Sequence, residues 1–195
     1  MTAELTQGLV QVYTGEGKGK TTAALGLGLR ASGHGFVVEM IQFLKGTGYT
    51  GELEAVKTID NFNINQFGKK CPHLEQIKAG VMNCEACGNC FVNDDNWEEH
   101  QKFVIAAHQY SQKILGEGTA DIVILDEINN ALRYDFLTTA DVLTLIEQKK
   151  PKTELILTGR GLPNKILTRA DLVSEIKKIK HPFEQGIASR RGIEY

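Results

Sequence analysis

Short apolar, β-branched runs alternate along the chain with longer stretches in which apolar residues return at helical spacing. "LVQVY" (9–13), "FVVEMIQF" (36–43), "DIVILDE" (121–127) and "ELILTG" (154–159) read as strands, and "FNINQF" (62–67) as a further candidate. "LVSEIKKI" (172–179) reads as a last strand nearer an edge. "KTTAALGLGLRAS" (20–32) reads as a helix, and its Gly26 and Gly28 call for a packing reason such as close approach to a sheet. In 94–115, Trp97, Val104, Ala107 and Ile114 share a face, Asp94 and Asp95 favour the N-terminus, and Gly116 is expected past the end. A further helix is expected over 139–148, with Thr138 and Asp141 as a capping pair and Pro151 as its stop. This alternation predicts a mainly parallel sheet with helices on both faces. Residues 68–93 break the pattern, with little periodicity of either kind.

Composition narrows the class. The 195 residues suit one domain, 1–195, with the irregular stretch as an insertion at about 68–93. Hydrophobic residues at 42% and charged residues at 24% are ordinary for a soluble globular chain. A net charge of −2 gives no footprint for nucleic acid. No apolar run approaches the roughly 20 residues of a membrane span, and the first residues lack a signal-peptide pattern, so no membrane association and a cytoplasmic location are expected.

"TGEGKGKT" (14–21) follows the first strand and opens the first helix. It departs from G-x-x-x-x-G-K-[ST] only in having Thr14 first. Gly15, Gly17 and Gly19 are expected to let backbone N–H groups converge on phosphate at a helix N-terminus. Lys20 supplies charge for the terminal phosphates, and the Thr21 hydroxyl suits Mg²⁺. Asp126 and Glu127, ending a buried strand, sit where such sheets bind ligands and can hold Mg²⁺ directly or through water. The fold class expected is therefore α/β, a P-loop NTPase of RecA-like type. These motifs alone leave three functions open: group transfer from ATP, an ATPase coupled to a partner, or a nucleotide-gated metal or redox sensor.

The four cysteines, Cys71, Cys84, Cys87 and Cys90, have the spacing C-x12-C-x2-C-x2-C inside the irregular stretch. In a reducing compartment such a cluster points to metal rather than disulfides. C-x2-C-x2-C with a remote Cys-Pro resembles [4Fe–4S] ligation in reversed order, and Zn²⁺ is the alternative. His73, His100 and His108 are spare zinc ligands, read here as ordinary polar side chains. A metal would order a loop that lacks its own core.

"TGEGKGKTTAALGLGLRASGHG", "QFLKG" (42–46), "VILDE", "TGRG" (158–161), "ADLVSEIKKIKH" (170–181) and "GIEY" (192–195) together resemble the P-loop ATP:corrinoid adenosyltransferases, over most of the chain outside 68–93. The resemblance implies transfer of the 5′-deoxyadenosyl group of ATP to a Co(I) corrinoid with release of triphosphate, in adenosylcobalamin synthesis or salvage. It implies a nucleotide bound in a reversed sense in the loop, and no general base. It assigns triphosphate to Thr14, Gly15, Glu16, Gly17, Lys18, Gly19, Lys20, Thr21 and Thr22. Mg²⁺ falls to Thr21 and Glu127, with Asp126 supporting, and Lys45 and Arg160 become candidates for nucleotide or corrin contacts. Lys177, Lys178, Lys180, Arg190 and Arg191 read as solvated surface. A homodimer and an electron-donor protein are implied partners. Two departures stand out. A longer N-terminal lid found in some relatives is shortened here, with about eight residues ahead of the first strand. Relatives also carry a Phe-x-Trp pair facing the corrin; Phe91 matches the Phe, while Asn93 stands where the Trp would be.

Overall fold

The computed structural model describes residues 4–46, 50–84 and 87–195; residues 85–86 of the cysteine stretch and the first three residues of the chain lie outside them. In chain order the elements are β1 (Val10–Thr14), α1 (Lys20–Gly33), β2 (Val38–Phe43), α2 (Gly51–Val56), β3 (Phe62–Phe67), α3 (Leu74–Lys78), α4 (Trp97–Glu117), β4 (Ile122–Asp126), α5 (Ile128–Arg133), α6 (Thr139–Gln148), β5 (Glu154–Thr158), α7 (Asn164–Leu167) and β6 (Leu172–Glu175). All strand pairings are parallel, in the order β3-β2-β4-β5-β1-β6. This is the P-loop α/β architecture expected. β5 separates the phosphate-loop strand β1 from the acidic strand β4, and the C-terminal ends of all three open on the same edge.

Alternation along the strands feeds two cores. Val38, Met40, Ile122, Ile124 and Ile156 pack with Ala24 and Ala31 of α1. Ile41, Phe43, Val123, Leu125, Leu155 and Leu157 face the other way, onto Val104 and Ala107 of α4 and Val142 and Leu145 of α6. The packing reason sought for the helical glycines holds for Gly28, where a Cβ would lie 2.7 Å from the Phe62 ring; at Gly26 it would meet nothing.

Several boundaries differ from the sequence reading. The chain runs as helix through Gly116 to Glu117, and the left-handed residue that ends α4 is Gly118 at φ 70°. Asp94 and Asp95 lie in a 3-10 turn ahead of it. The last strand stops at Glu175, because from Ile176 the backbone turns to the phosphate loop. The cysteine stretch is not wholly coreless either, since α3 within it buries Leu74 and Ile77. The capping pair at α6 forms as expected: the Thr138 hydroxyl accepts from the Asp141 N–H at 3.2 Å, and the Asp141 carboxylate accepts from the Thr138 N–H at 2.7 Å. Among the described residues no helix is long and apolar enough to cross a membrane.

Candidate functional site

A cleft of about 590 Å³ opens at the C-terminal edge of the sheet, lined by Lys18 to Thr22, Lys45, Glu127, Arg160 and a returning segment, Gly192 to Tyr195. The phosphate loop builds one wall. Gly15 and Gly19 have φ of 102° and 121°, the region that glycine enters without strain. Lys20 is nearly buried, and its ammonium donates to the carbonyls of Gly15 (2.8 Å) and Gly17 (2.9 Å). Burial lowers its pKa, with Glu127 pulling the other way. One expectation needs correction. The Gly17 N–H does not point into the cleft but donates to the Ile176 carbonyl at 2.7 Å, because β6 lies beside β1.

Asp126 organises the floor. It is fully buried, and both oxygens are occupied: Oδ1 accepts from Thr21 (2.8 Å) and Thr158 (2.7 Å), Oδ2 from Gln42 (3.0 Å) and Lys45 (2.6 Å). Burial would raise its pKa, but the Lys45 charge and these donors outweigh it and hold the carboxyl below the usual range. Asp126 thus positions Thr21 and Lys45 rather than facing the cleft. Glu127 does face it. Its backbone is left-handed at φ 58°, its N–H donates to the Thr158 hydroxyl at 3.0 Å, and its carboxylate accepts from Asn130 at 3.1 Å. Burial, then the neighbouring Asp126 charge, pushes the Glu127 pKa up. A carboxylate so crowded gains from a bound cation, and with the Thr21 hydroxyl it is a donor set that fits Mg²⁺.

Lys18 pairs with Glu194 at 2.8 Å, and Arg160 with Glu16 at 2.9 Å across the loop. Two buried polar side chains at strand ends, Gln42 and Thr158, belong to this site and were not singled out from sequence. The signal available for each was a polar residue at or next to the C-terminal end of an apolar strand. The segment 192–195, used only as a marker of resemblance, is also part of the cleft.

The family model for ATP:corrinoid adenosyltransferase BtuR/CobO/CobP matches residues 6–195. The chain belongs to this family. Among its relatives, the corrinoid adenosyltransferase CobA of Salmonella typhimurium is 34% identical over 193 residues, covering 99% of this chain and 88% of that protein. The corrinoid adenosyltransferases of a Sinorhizobium species and of Escherichia coli K12 are 33% and 34% identical, each over 97% of this chain and over 81% and 86% of their own lengths.

Within this adenosyltransferase-family chain, the remaining predicted residues fall outside the cleft wall. Phe91 is 59% exposed, its carbonyl accepting from Asn96 at 2.9 Å. Asn93 caps the turn that leads into α4. Its side chain accepts from the N–H groups of Asp95 and Asn96, and its own N–H donates to the Asn96 side chain. Burial raises the Cys90 thiol pKa, and the thiols of Cys71, Cys84 and Cys87 add to it. Yet among the described residues no three or more His, Cys, Asp or Glu side chains are gathered closely enough to hold a metal ion. The [4Fe–4S] or zinc centre expected from spacing is not assembled in this arrangement. His100 lies fully buried in α4, with neither ring nitrogen in a regular hydrogen bond.

Proposed function

We propose that this chain transfers the 5′-deoxyadenosyl group of ATP to the Co(I) of a corrinoid and releases triphosphate, in adenosylcobalamin synthesis or salvage. Membership of the family across residues 6–195 carries the reading. Co(I) gives an electron pair to C5′, a cobalt–carbon bond forms, the C5′–oxygen bond breaks, and its electrons leave on the triphosphate. No proton needs to be removed, so the protein has to align the reactants and stabilise the leaving anion. Lys20, with Lys18, Lys45 and Arg160 around the same cleft, supplies the charge. Thr21 and Glu127 would hold Mg²⁺, with Asp126 supporting; the ion neutralises phosphate charge when bound. ATP and a chemically reduced corrinoid should yield triphosphate and an alkylcobalt product. ADP and inorganic phosphate instead would return the chain to the coupled-ATPase reading.

The proposal extends to the cysteines. Their spacing, C-x12-C-x2-C-x2-C, supports a site for an iron–sulfur cluster or Zn²⁺. Protein purified without oxygen should carry iron and sulfide, or zinc, and Cys87→Ser should lose it. Metal at background in the wild type would remove this part of the proposal. Reduction of cobalt to Co(I) is assigned to an electron-donor protein. A homodimer is proposed on the resemblance, with exposed Leu172 and Val173 on the edge strand β6 as available apolar surface.

A further inference from the structure

The phosphate loop carries a lysine ahead of Lys20 whose charge is already engaged. Lys18 Nζ lies 2.8 Å from the Glu194 carboxylate, with side-chain exposures of 45% and 21%. Glu194 is held in turn by Arg190, whose backbone N–H, Nε and Nη2 donate at 2.8, 3.2 and 3.0 Å. The Tyr195 hydroxyl donates to Asn83 at 3.3 Å, next to Cys84, so the segment joins the loop to the cysteine stretch. Little apolar burial holds it down: Ile193 is 60% exposed. Polar contacts fasten residues 190–195, and a principal one is shared with the nucleotide cleft.

We propose that residues 190–195 form a latch that the nucleotide displaces: Glu194 holds Lys18 until nucleotide binds, and the incoming triphosphate takes Lys18 and frees the segment from the mouth. The proposal rests on the reading of the loop as the triphosphate site. A carboxylate offers one negative charge and a triphosphate several, so the exchange favours the phosphate. Lys18 then becomes a phosphate contact delivered on binding, and Glu194 a built-in competitor. A half-exposed ion pair is a weak competitor, which sets its effect at about two- to fivefold in affinity.

The test is calorimetric titration of inorganic triphosphate with Mg²⁺ into the full chain, as wild type, Glu194→Gln, Lys18→Gln and the double variant. Glu194→Gln should bind about two- to fivefold more tightly. Lys18→Gln should bind more weakly, and in that background the change at 194 should do nothing. Tryptic cleavage after Arg190 and Arg191 should quicken when triphosphate is added to wild type, and Glu194→Gln should be cut quickly without it. Unchanged or weaker binding by Glu194→Gln, an equal gain in the absence of Lys18, or protection of the two arginines by triphosphate would each overturn the latch. Failure of wild type to bind triphosphate at all would overturn the reading of the loop itself.

Discussion

Thr158→Val tests the floor of the site with the least change of shape. The Thr158 hydroxyl, fully buried, donates to Asp126 at 2.7 Å and accepts from the Glu127 N–H at 3.0 Å. Valine keeps the volume and removes both contacts. A hydrogen bond to an ionised carboxylate contributes about 1.5–3 kcal/mol, and a buried N–H left unpaired costs about 1–3 kcal/mol. Both losses fall on adjacent residues and will not add fully, so the expected destabilisation is about 2–4 kcal/mol. For a domain of this size that is roughly 4–16 °C in Tm. The loss should reach function as well, because the Thr158 hydroxyl pins the left-handed backbone of Glu127 at φ 58°. Half-saturation by Mg²⁺ should therefore rise in the folded variant. Urea denaturation and a Mg²⁺ titration of adenosyl transfer measure the two effects. Thr158→Ser, which keeps the hydroxyl, should recover most of both. A Thr158→Val loss under about 1 kcal/mol, or a Thr158→Ser protein as weak as the valine variant, would refute the geometry argued for the floor.

Lys20→Ala should lower turnover by about 10² to 10³ while the protein stays folded, since it removes a charge placed against the leaving triphosphate; near-normal turnover would contradict that placement. Glu127→Gln should raise the Mg²⁺ concentration needed for adenosyl transfer, whereas an unchanged Mg²⁺ dependence with trapped ATP would indicate an activating base instead. His100 gives a pH prediction. Burial lowers its pKa, so the unfolded chain takes up the proton first: stability is full above the unfolded value of about 6.5 and is lost as pH falls through the folded value. The His100 contribution should fall as pH drops below about 6.5, at no more than roughly 1.4 kcal/mol per pH unit for this one group, and His100→Leu should flatten that part of the profile; identical profiles would remove His100 as the cause.

The parallel sheet was legible because its strands are short β-branched runs of ordinary strand length, and because a glycine-rich turn marks the end of β1. The helices without a sequence signal, α2, α3, α5 and α7, span six residues or fewer, less than two turns and too short for a periodic pattern. Lys20, Thr21, Lys45, Glu127 and Arg160 were legible as a set, because loops after parallel strands share one edge of the sheet. Two of the four donors to Asp126, Gln42 and Thr158, were not. Gln42 lies opposite Asp126 only because β2 pairs with β4 in that register, and Thr158 follows Leu157, the partner of Leu125 on the other side. Strand order is a long-range property, and nothing near residue 42 or 158 announces it. The same holds for Gly17, whose N–H is spent on Ile176 through the placement of β6. Asn93 shows the reverse case. The resemblance leads one to expect an aromatic there, whereas the local motif Asn-x-x-Asn before a helix announces the reciprocal cap that it forms.

The electrostatics of the cleft connect this architecture to the chemistry. Among the described residues, the Lys and Arg side chains that line it are already engaged: Lys45 on Asp126, Lys18 on Glu194, Arg160 on Glu16, and Lys20 on the carbonyls of its own loop. The internal partners hold four like charges in one place without leaving their repulsion unanswered. Binding of ATP is then an exchange of partners, and its net affinity is a difference between two sets of contacts. Chemistry changes that difference. Breaking the C5′–oxygen bond leaves a new negative charge on the departing oxygen, so the triphosphate attracts the same cations more strongly than ATP does. Interactions that strengthen between ground state and transition state are the ones that accelerate a reaction. Lys20 is best placed to act this way. Its ammonium is poorly solvated, its present partners are neutral carbonyls, and burial lowers its pKa, so an arriving anion improves its surroundings most. Lys18 and Arg160, exposed and paired with carboxylates, gain less from the exchange and suit capture of the nucleotide better than promotion of its cleavage.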